Sequence, residues 1–157
     1  MICAFIGHRK VENIETLKLR LAIIVKDLIL CEGVDTFLFG SKSAFNDLCY
    51  DIVTEFKEVF ADIRRVYVRA QYEYIDKLYT DYLLTFYEDT YFAEQARNAG
   101  YRSYIKRNQE MIDKSDIVVA YCDMGYKPTT RTNSGTKIAM QYAQKKQKRI
   151  INVFDLL

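Results

Sequence analysis

The sequence lacks several features that point to particular classes of protein. It has one histidine and four cysteines, none of them in a Cys-x-x-Cys pair, so a structural zinc site is not expected. No apolar run approaches the ~20 residues of a membrane-spanning helix. The first residues look like a strand, with neither the apolar region nor the cleavage site of a signal peptide. These absences favour a cytoplasmic protein with no membrane partner and with reduced, buried cysteines.

The charge of the chain is nearly balanced. Its 23 Lys and Arg residues face 21 Asp and Glu residues, and a net charge of +2 is too small to indicate a nucleic-acid partner. The basic cluster at residues 145–149 closes the last predicted helix, where cations suit the negative end of the helix dipole. With 157 residues, half of them hydrophobic, we expect one globular domain over residues 1–157 with a substantial core.

Short apolar runs alternate with amphipathic stretches along the chain. This alternation predicts right-handed parallel crossovers and an α/β fold, a three-layer Rossmann-like sandwich. Its sheet is predicted to be mainly parallel and five-stranded, with the strands in the order 3-2-1-4-5. The predicted strands cover residues 2–6, 37–39, 66–68, 117–121 and 150–153.

The predicted helices show apolar residues at three- and four-residue steps. The first is expected between Asn13 as its cap and Gly33 as its stop, and Ser43 is expected to cap the second. Further helices are predicted at 75–86, at 107–114 and from about Ser134 to 146, with an irregular segment at 87–101. The expected buried stripes are Ile14, Leu17, Leu21, Ile24 and Leu28 in the first helix, and Phe45, Leu48, Cys49, Ile52 and Phe56 in the second.

Three loops carry residue types that suit an anion. Residues 7–10 (Gly-His-Arg-Lys) follow the first predicted strand, and residues 40–43 (Gly-Ser-Lys-Ser) follow the second. Glycine lets an anion approach the backbone, and the cations supply compensating charge. Residues 133–136 (Asn-Ser-Gly-Thr) open the last predicted helix, where backbone N–H groups, hydroxyls and the positive end of the dipole meet. Together the loops predict a site for a nucleotide-like ligand.

In the predicted strand order, the first and fourth strands are neighbours where the direction of winding reverses. Ligands of such sheets bind outside the carboxyl ends of the strands at this point, so the loops after four strands should converge there. Arg107 is added to the predicted site for a separate reason. A cation at the start of a helix interacts unfavourably with the helix dipole unless an anion compensates its charge. The candidate ligand-binding residues are Gly7, His8, Arg9, Gly40, Ser41, Lys42, Arg69, Arg107, Asn108, Tyr121, Asn133, Ser134, Gly135 and Thr136.

Each loop also has a simpler interpretation. Residues 7–10 do not form the Gly-x-Gly-x-x-Gly fingerprint of dinucleotide-binding proteins and could be a solvated turn. Ser43, Ser134 and Thr136 could serve only as helix caps. His8 could act as a general acid or base because histidine titrates near neutrality. A lone histidine without an evident partner more often donates to a ligand or has a structural role.

Tyrosines are concentrated between residues 67 and 104. Amphipathic aromatic rings mostly fill the edges of cores or the subunit interfaces of a homo-oligomer, and stacking on the base of a ligand is the alternative. The tyrosines concerned are Tyr67, Tyr72, Tyr74, Tyr79, Tyr82, Tyr87, Tyr91, Tyr101 and Tyr104.

The order of these motifs resembles that of a known family. Five motifs follow one another across nearly the whole chain. They are a strand followed by Gly-His-Arg, a strand followed by Gly-Ser, Arg107-Asn108-x-x-Met111, a strand preceded by Ser-Asp, and Ser-Gly-Thr before a helix. This is similar to the SLOG superfamily of Rossmann-like nucleotide-binding domains, and within it to the YpsA-like proteins (the DUF1273 group) of Firmicutes. The superfamily includes LOG-type phosphoribohydrolases, DprA-like DNA-binding proteins, and sensor domains for nucleotides or NAD-derived signals.

The chain departs from the phosphoribohydrolase motifs at important positions. Their Arg-Lys-x-x-Met segment is matched here by Arg107 and Met111, with Asn108 in place of lysine. Their Pro-Gly-Gly-x-Gly-Thr-x-x-Glu loop is matched only at Gly135 and Thr136, and residues 138–141 contain no glutamate. An N-glycosidase needs a carboxylate near the anomeric carbon.

The resemblance therefore implies a sensor or ligand-binding protein for a nucleotide or nucleotide-derived small molecule, without hydrolysis and without a further cofactor. An N-glycoside-cleaving nucleotide hydrolase is the first alternative, with Asp123 or Glu88 as a replacement acid. A protein-interaction module that uses the tyrosine-rich surface is the second.

Overall fold

A computed structural model describes residues 1–126 and 134–157. In these two ranges, strands and helices alternate as the sequence predicts. The strands β1–β6 are Ile2–Gly7, Thr36–Phe39, Arg64–Arg69, Asp89–Phe92, Ile117–Tyr121 and Arg149–Asn152. The helices α1–α5 are Ile14–Glu32, Ala44–Lys57, Lys77–Phe86, Ser103–Lys114 and Gly135–Lys145, and short 3₁₀ turns lie at Glu94–Ala96, Gly100–Arg102 and Val153–Leu156.

The sheet is parallel throughout, with the strand order β4-β3-β2-β1-β5-β6. The α/β sandwich is confirmed, and the five predicted strands lie in the predicted order. The prediction of an irregular segment at 87–101 is wrong in part, because β4 adds a sixth strand at the edge beside β3. This strand is four residues long and only half-buried, so its side chains carry no apolar pattern that reveals it.

Helices cover both faces of the sheet. Alternate residues of β1 point to opposite sides, so Cys3 and Phe5 join one apolar cluster while Ala4 and Ile6 join the other. The first cluster is covered by α1 and α2, and the second by α4 and α5. Because β1 and β5 are buried on both faces, their sequences read as continuous apolar runs.

The predicted helix ends are mostly confirmed. Gly33 ends α1 with a left-handed backbone (φ 71°), and Ser43 caps α2 by accepting a hydrogen bond from the Asn46 N–H. Asn13 precedes α1, but its side chain makes no capping hydrogen bond to a described residue. The buried stripe of α1 is Leu17, Leu21, Val25 and Leu28; Ile14 is exposed and Ile24 only partly buried, which corrects the prediction.

Helix α4 begins at Ser103, four residues before the predicted start. Arg107 therefore lies in the second turn, and the dipole argument that placed it at a helix start is wrong. The error arose because the first turn carries polar and aromatic residues that do not continue the apolar stripe of the helix. None of the helices within the described ranges is long and apolar enough to cross a bilayer.

Candidate functional site

A large cleft, with a volume of about 1100 Å³, lies at the carboxyl ends of β1, β2, β3 and β5. It sits where β1 and β5 are neighbours and the winding reverses, the usual ligand position in this architecture. Every candidate ligand-binding residue predicted from the sequence lines this cleft, except Asn133, which lies outside the described residues. The parallel strands bring together loops that are far apart in the sequence.

Two arginines of the cleft are buried and have no carboxylate partner among the described residues. Only 3% of Arg107 and 8% of Arg69 is exposed. Arg107 donates to the carbonyl oxygen of Gly40 and, over 3.0 Å, to Oδ1 of Asn108. Arg69 donates to the carbonyl oxygen of Tyr72. None of the ion pairs among residues 1–126 and 134–157 includes either arginine.

Burial also affects the proton affinity of these arginines. Loss of hydration lowers the pKa of Arg107 to about 10 and lowers the pKa of Arg69, although nearby tyrosines oppose both shifts. A buried cation is destabilising until a counter-charge or hydrogen-bond acceptors compensate it. The two guanidinium groups therefore favour an anion in the cleft.

The amino end of α5 supplies a second kind of anion-binding group. Ser134 caps the helix, because its Oγ accepts a hydrogen bond from the Lys137 N–H over 3.1 Å. A Cβ atom at Gly135 would meet no described atom within 4 Å, so the backbone there is open to a ligand. Exposed N–H groups and the helix dipole favour negative charge at such an end.

The amino end of α2 is used differently. Ser43 Oγ accepts from the Asn46 N–H over 3.1 Å and lies 3.2 Å from the hydroxyl oxygen of Ser41. The Ala44 N–H donates to the carbonyl oxygen of Arg9 over 3.0 Å. The interpretation of Ser43 as a helix cap is confirmed, and the bond from Ala44 to Arg9 joins the loop after β1 to the start of α2.

Gly7 and Gly40 have packing roles that the sequence does not reveal. A Cβ atom at Gly7 would lie 2.2 Å from Cδ1 of Phe45, and one at Gly40 would lie 2.7 Å from Cδ of Arg107. Real Cβ atoms essentially never approach so closely. Both glycines therefore make room for protein side chains: the ring of Phe45 at Gly7, and the stem of Arg107 at Gly40.

His8 has a partner that the sequence could not show. The Nε2 of its imidazole accepts a hydrogen bond from the Asp123 N–H over 3.0 Å, and the backbone N–H of His8 donates to the carbonyl oxygen of Tyr121. Loss of hydration lowers the pKa of His8, and the Asp123 carboxylate partly opposes this shift. This hydrogen bond requires a neutral imidazole with its proton on Nδ1, which leaves Nδ1–H as a donor.

The acids considered for catalysis lie in different places. Glu88 forms an ion pair with Arg65 (Oε1 to Nη2, 2.8 Å), lies 3.5 Å from Lys57 and is held away from the cleft. Asp123 lines the cleft, and its Oδ1 accepts from the Gly125 N–H over 2.8 Å. Glu12 also lines the cleft, although the sequence gave no reason to select it. The described residues contain no metal-binding group of three His, Cys, Asp or Glu side chains.

The tyrosines of residues 67–104 divide into groups. Tyr67, Tyr87 and Tyr91 are partly buried, consistent with core edges. Four tyrosines line the cleft, and several others point to solvent away from it. The cleft residues are Tyr67, Tyr72, Tyr79 and Tyr104, joined by Tyr121 and by Tyr126, which sequence reasoning missed.

Comparison with known proteins adds no assignment. No protein-family model matches the chain, and no curated protein matches it either. What the cleft binds must therefore be inferred from its own chemistry.

Proposed function

We propose that the protein binds a nucleotide or nucleotide-derived small molecule in this cleft, as a sensor or ligand-binding protein that does not hydrolyse it. The observation that carries the proposal is the pair of buried arginines, Arg69 and Arg107, with no ion-pair partner among the described residues. A phosphate would supply the missing negative charge. Guanidinium groups suit it because their planar donors match phosphate oxygens.

The rest of the cleft supports an anionic ligand. Arg9, Lys10 and Lys42 add positive charge at its wall, while Glu12 and Asp123 are the acids that line it among the described residues. The open backbone at the start of α5 adds N–H donors. A phosphate bound there would contact Gly135 and Thr136.

We also propose that the chain is a SLOG domain of the YpsA-like group, in a cytoplasmic bacterial protein. The order of its motifs supports this, as does a strand order that puts the matching loops on one sheet edge. In that family setting, Arg107 and the Ser-Gly-Thr turn would hold the ligand.

Hydrolysis is the second candidate function, and Asp123 is the observation that favours it. This carboxylate lines the cleft and could replace the missing glutamate, whereas Glu88 is held by Arg65. We expect no release of base from nucleoside monophosphates during long incubation. Release that disappears in Asp123→Asn would identify an enzyme and overturn the proposal of binding without hydrolysis.

The proposal is tested by thermal unfolding with AMP, GMP, CMP, UMP, cyclic nucleotides, NAD and pyrophosphate. A ligand at ~100 times its dissociation constant should add about 2.7 kcal/mol to the free energy of unfolding. We expect at least one nucleotide to do so. If none of these compounds shifts the transition at millimolar concentration, the proposal fails and the protein-interaction module becomes the better hypothesis.

A further inference from the structure

We propose that tyrosine rings of the cleft hold the base of the bound nucleotide by stacking, in a subsite beside the two buried arginines. We call Tyr67, Tyr72, Tyr79 and Tyr104 the tyrosine wall; all four line the cleft. This inference rests on the proposed function and adds to it the position and orientation of the ligand.

The wall and the start of α5 lie at different ends of the cleft, and the two buried arginines lie on the side of the wall. Tyr67 belongs to β3, Tyr72 to the loop after it, and Tyr79 to the first turn of α3. The Ser-Gly-Thr turn follows β5, and Arg9 follows β1. Because β3 is separated from β1 by one strand and from β5 by two, the strand ends lie roughly 10–14 Å apart. A nucleotide with its base at the wall can extend from there toward the start of α5.

Two rings of the wall, Tyr72 and Tyr104, present aromatic surface to water. Tyr72 is 69% exposed and Tyr104 is 52% exposed, yet both line a cleft. Tyrosine rings offer large, rigid surfaces that favour stacking on another planar ring. Every nucleobase has such a ring, so stacking would remove water from both surfaces.

The two buried arginines also contact the wall. Arg69 donates to the carbonyl oxygen of Tyr72, whose backbone is left-handed (φ 58°), an unfavourable conformation for a bulky residue. The guanidinium carbon of Arg107 lies 5.5 Å from the ring centre of Tyr104, a cation–π contact. The arginines that we propose to hold phosphate thus lie beside the wall, so the phosphate and the base would be neighbours in the cleft.

Two other tyrosines provide matched controls. Tyr74 is 88% exposed and Tyr101 is 94% exposed, and neither belongs to the residues that line the cleft in the described part of the chain. They lie two and three residues from Tyr72 and Tyr104, respectively. Substitution by alanine removes similar ring area in each pair but should affect the ligand only at the wall.

The experiment measures dissociation constants by calorimetry for AMP, GMP, CMP, UMP, ribose 5-phosphate and pyrophosphate. We expect at least one nucleotide to bind tenfold or more tightly than ribose 5-phosphate. Tyr104→Ala and Tyr72→Ala should each weaken the binding of that nucleotide by about tenfold, the scale of losing one stacked ring. The affinity for ribose 5-phosphate should change by less than about twofold. Tyr104→Phe should retain the affinity, and Tyr74→Ala and Tyr101→Ala should bind as the unaltered protein does.

Other outcomes would overturn the inference in distinguishable ways. If ribose 5-phosphate binds as tightly as every nucleotide, the base subsite is wrong while the anion site stands. If Tyr104→Ala weakens the binding of ribose 5-phosphate as much as the binding of the nucleotide, Tyr104 positions Arg107 and does not hold a base. If neither pyrophosphate nor any other probe binds, the proposed function and the tyrosine wall fail together.

Discussion

The carbonyl oxygen of Gly40 accepts a hydrogen bond from Nη1 of Arg107, and a Cβ atom at residue 40 would lie 2.7 Å from Cδ of that arginine. The missing side chain at Gly40 therefore lets the guanidinium enter the floor of the cleft. The position of a charge that we propose to bind phosphate depends on a glycine 67 residues away.

Gly40→Ala should weaken nucleotide binding through its effect on Arg107. The added methyl group displaces the stem of Arg107, and we expect a loss of at least tenfold in affinity. Calorimetry on Gly40→Ala, Arg107→Met and the double variant checks this, because residues that act through each other give non-additive losses. If the two losses add fully, Gly40 does not act through Arg107.

Arg107→Met should weaken nucleotide binding by roughly 1.5–3 kcal/mol, the scale of a hydrogen bond to a charged group. Arg107→Lys should recover only part of the lost affinity, since lysine lacks the planar set of donors of a guanidinium group. The ligand-free Arg107→Met protein should be no less stable in urea, because removing a desolvated charge offsets the lost bond to Gly40.

Arg65 is the matched control for Arg107. It is partly buried, and it forms a two-point ion pair with Glu88 and donates to Thr54 Oγ1 over 2.9 Å. Arg65→Met should lower the free energy of unfolding by about 1.5–3 kcal/mol and leave nucleotide affinity unchanged. An Arg107→Met protein that unfolds as easily as Arg65→Met but binds normally would show that Arg107 is purely structural.

Gly7→Ala should destabilise the protein by about 1–3 kcal/mol or more, the cost of overpacking a rigid core. The new Cβ would lie 2.2 Å from Cδ1 of the fully buried Phe45. Phe45→Ala is destabilising too, but the double variant should lose less than the sum of the two single losses, since the ring that clashes is gone. Urea unfolding measures all three, and full additivity would contradict the packing role of Gly7.

His8 should make stability depend on pH. Folding lowers the pKa of His8 below its ordinary value near 6.5, so the unfolded chain binds more protons in this range. The stability contribution is therefore present above 6.5 and is lost as the pH falls toward the lower folded pKa. His8→Gln, which keeps an acceptor for the Asp123 N–H, should lose less stability than the unaltered protein between ~pH 8 and ~pH 5. Because the chain has one histidine, equal losses would show that carboxylates cause the effect.

Gly135→Val should abolish nucleotide binding and leave the fold intact. A Cβ at this position meets no described atom within 4 Å, so the structure tolerates it, but a branched side chain would cover the N–H groups of the helix start. Circular dichroism and calorimetry check the two halves of the prediction. Unchanged affinity in a folded variant would mean that the Ser-Gly-Thr turn is only a cap.

Local sequence patterns were enough to predict most of the elements. Gly33 and Ser43 mark helix ends through backbone geometry and a cap bond to a near neighbour, and both are confirmed. The continuous apolar runs of β1 and β5 predicted central strands, and the alternation with helices predicted the order of five strands. That order in turn predicted which loops meet at one edge, because parallel strands present their carboxyl ends together.

Only the tertiary structure decided which side chains meet. His8 accepts from the backbone of Asp123, 115 residues away, and Arg107 reaches Gly40 across 67 residues. Such contacts leave no periodic signal, because they depend on the packing of distant elements. The edge strand β4 was not predicted for a related reason. Its backbone pairs with one neighbouring strand, β3, while its own side chains are half-exposed and show no apolar pattern. The sequence by itself determined the strand order and the edge that carries the cleft; packing decided that Arg69 and Arg107 would be buried there and that six tyrosines would line it.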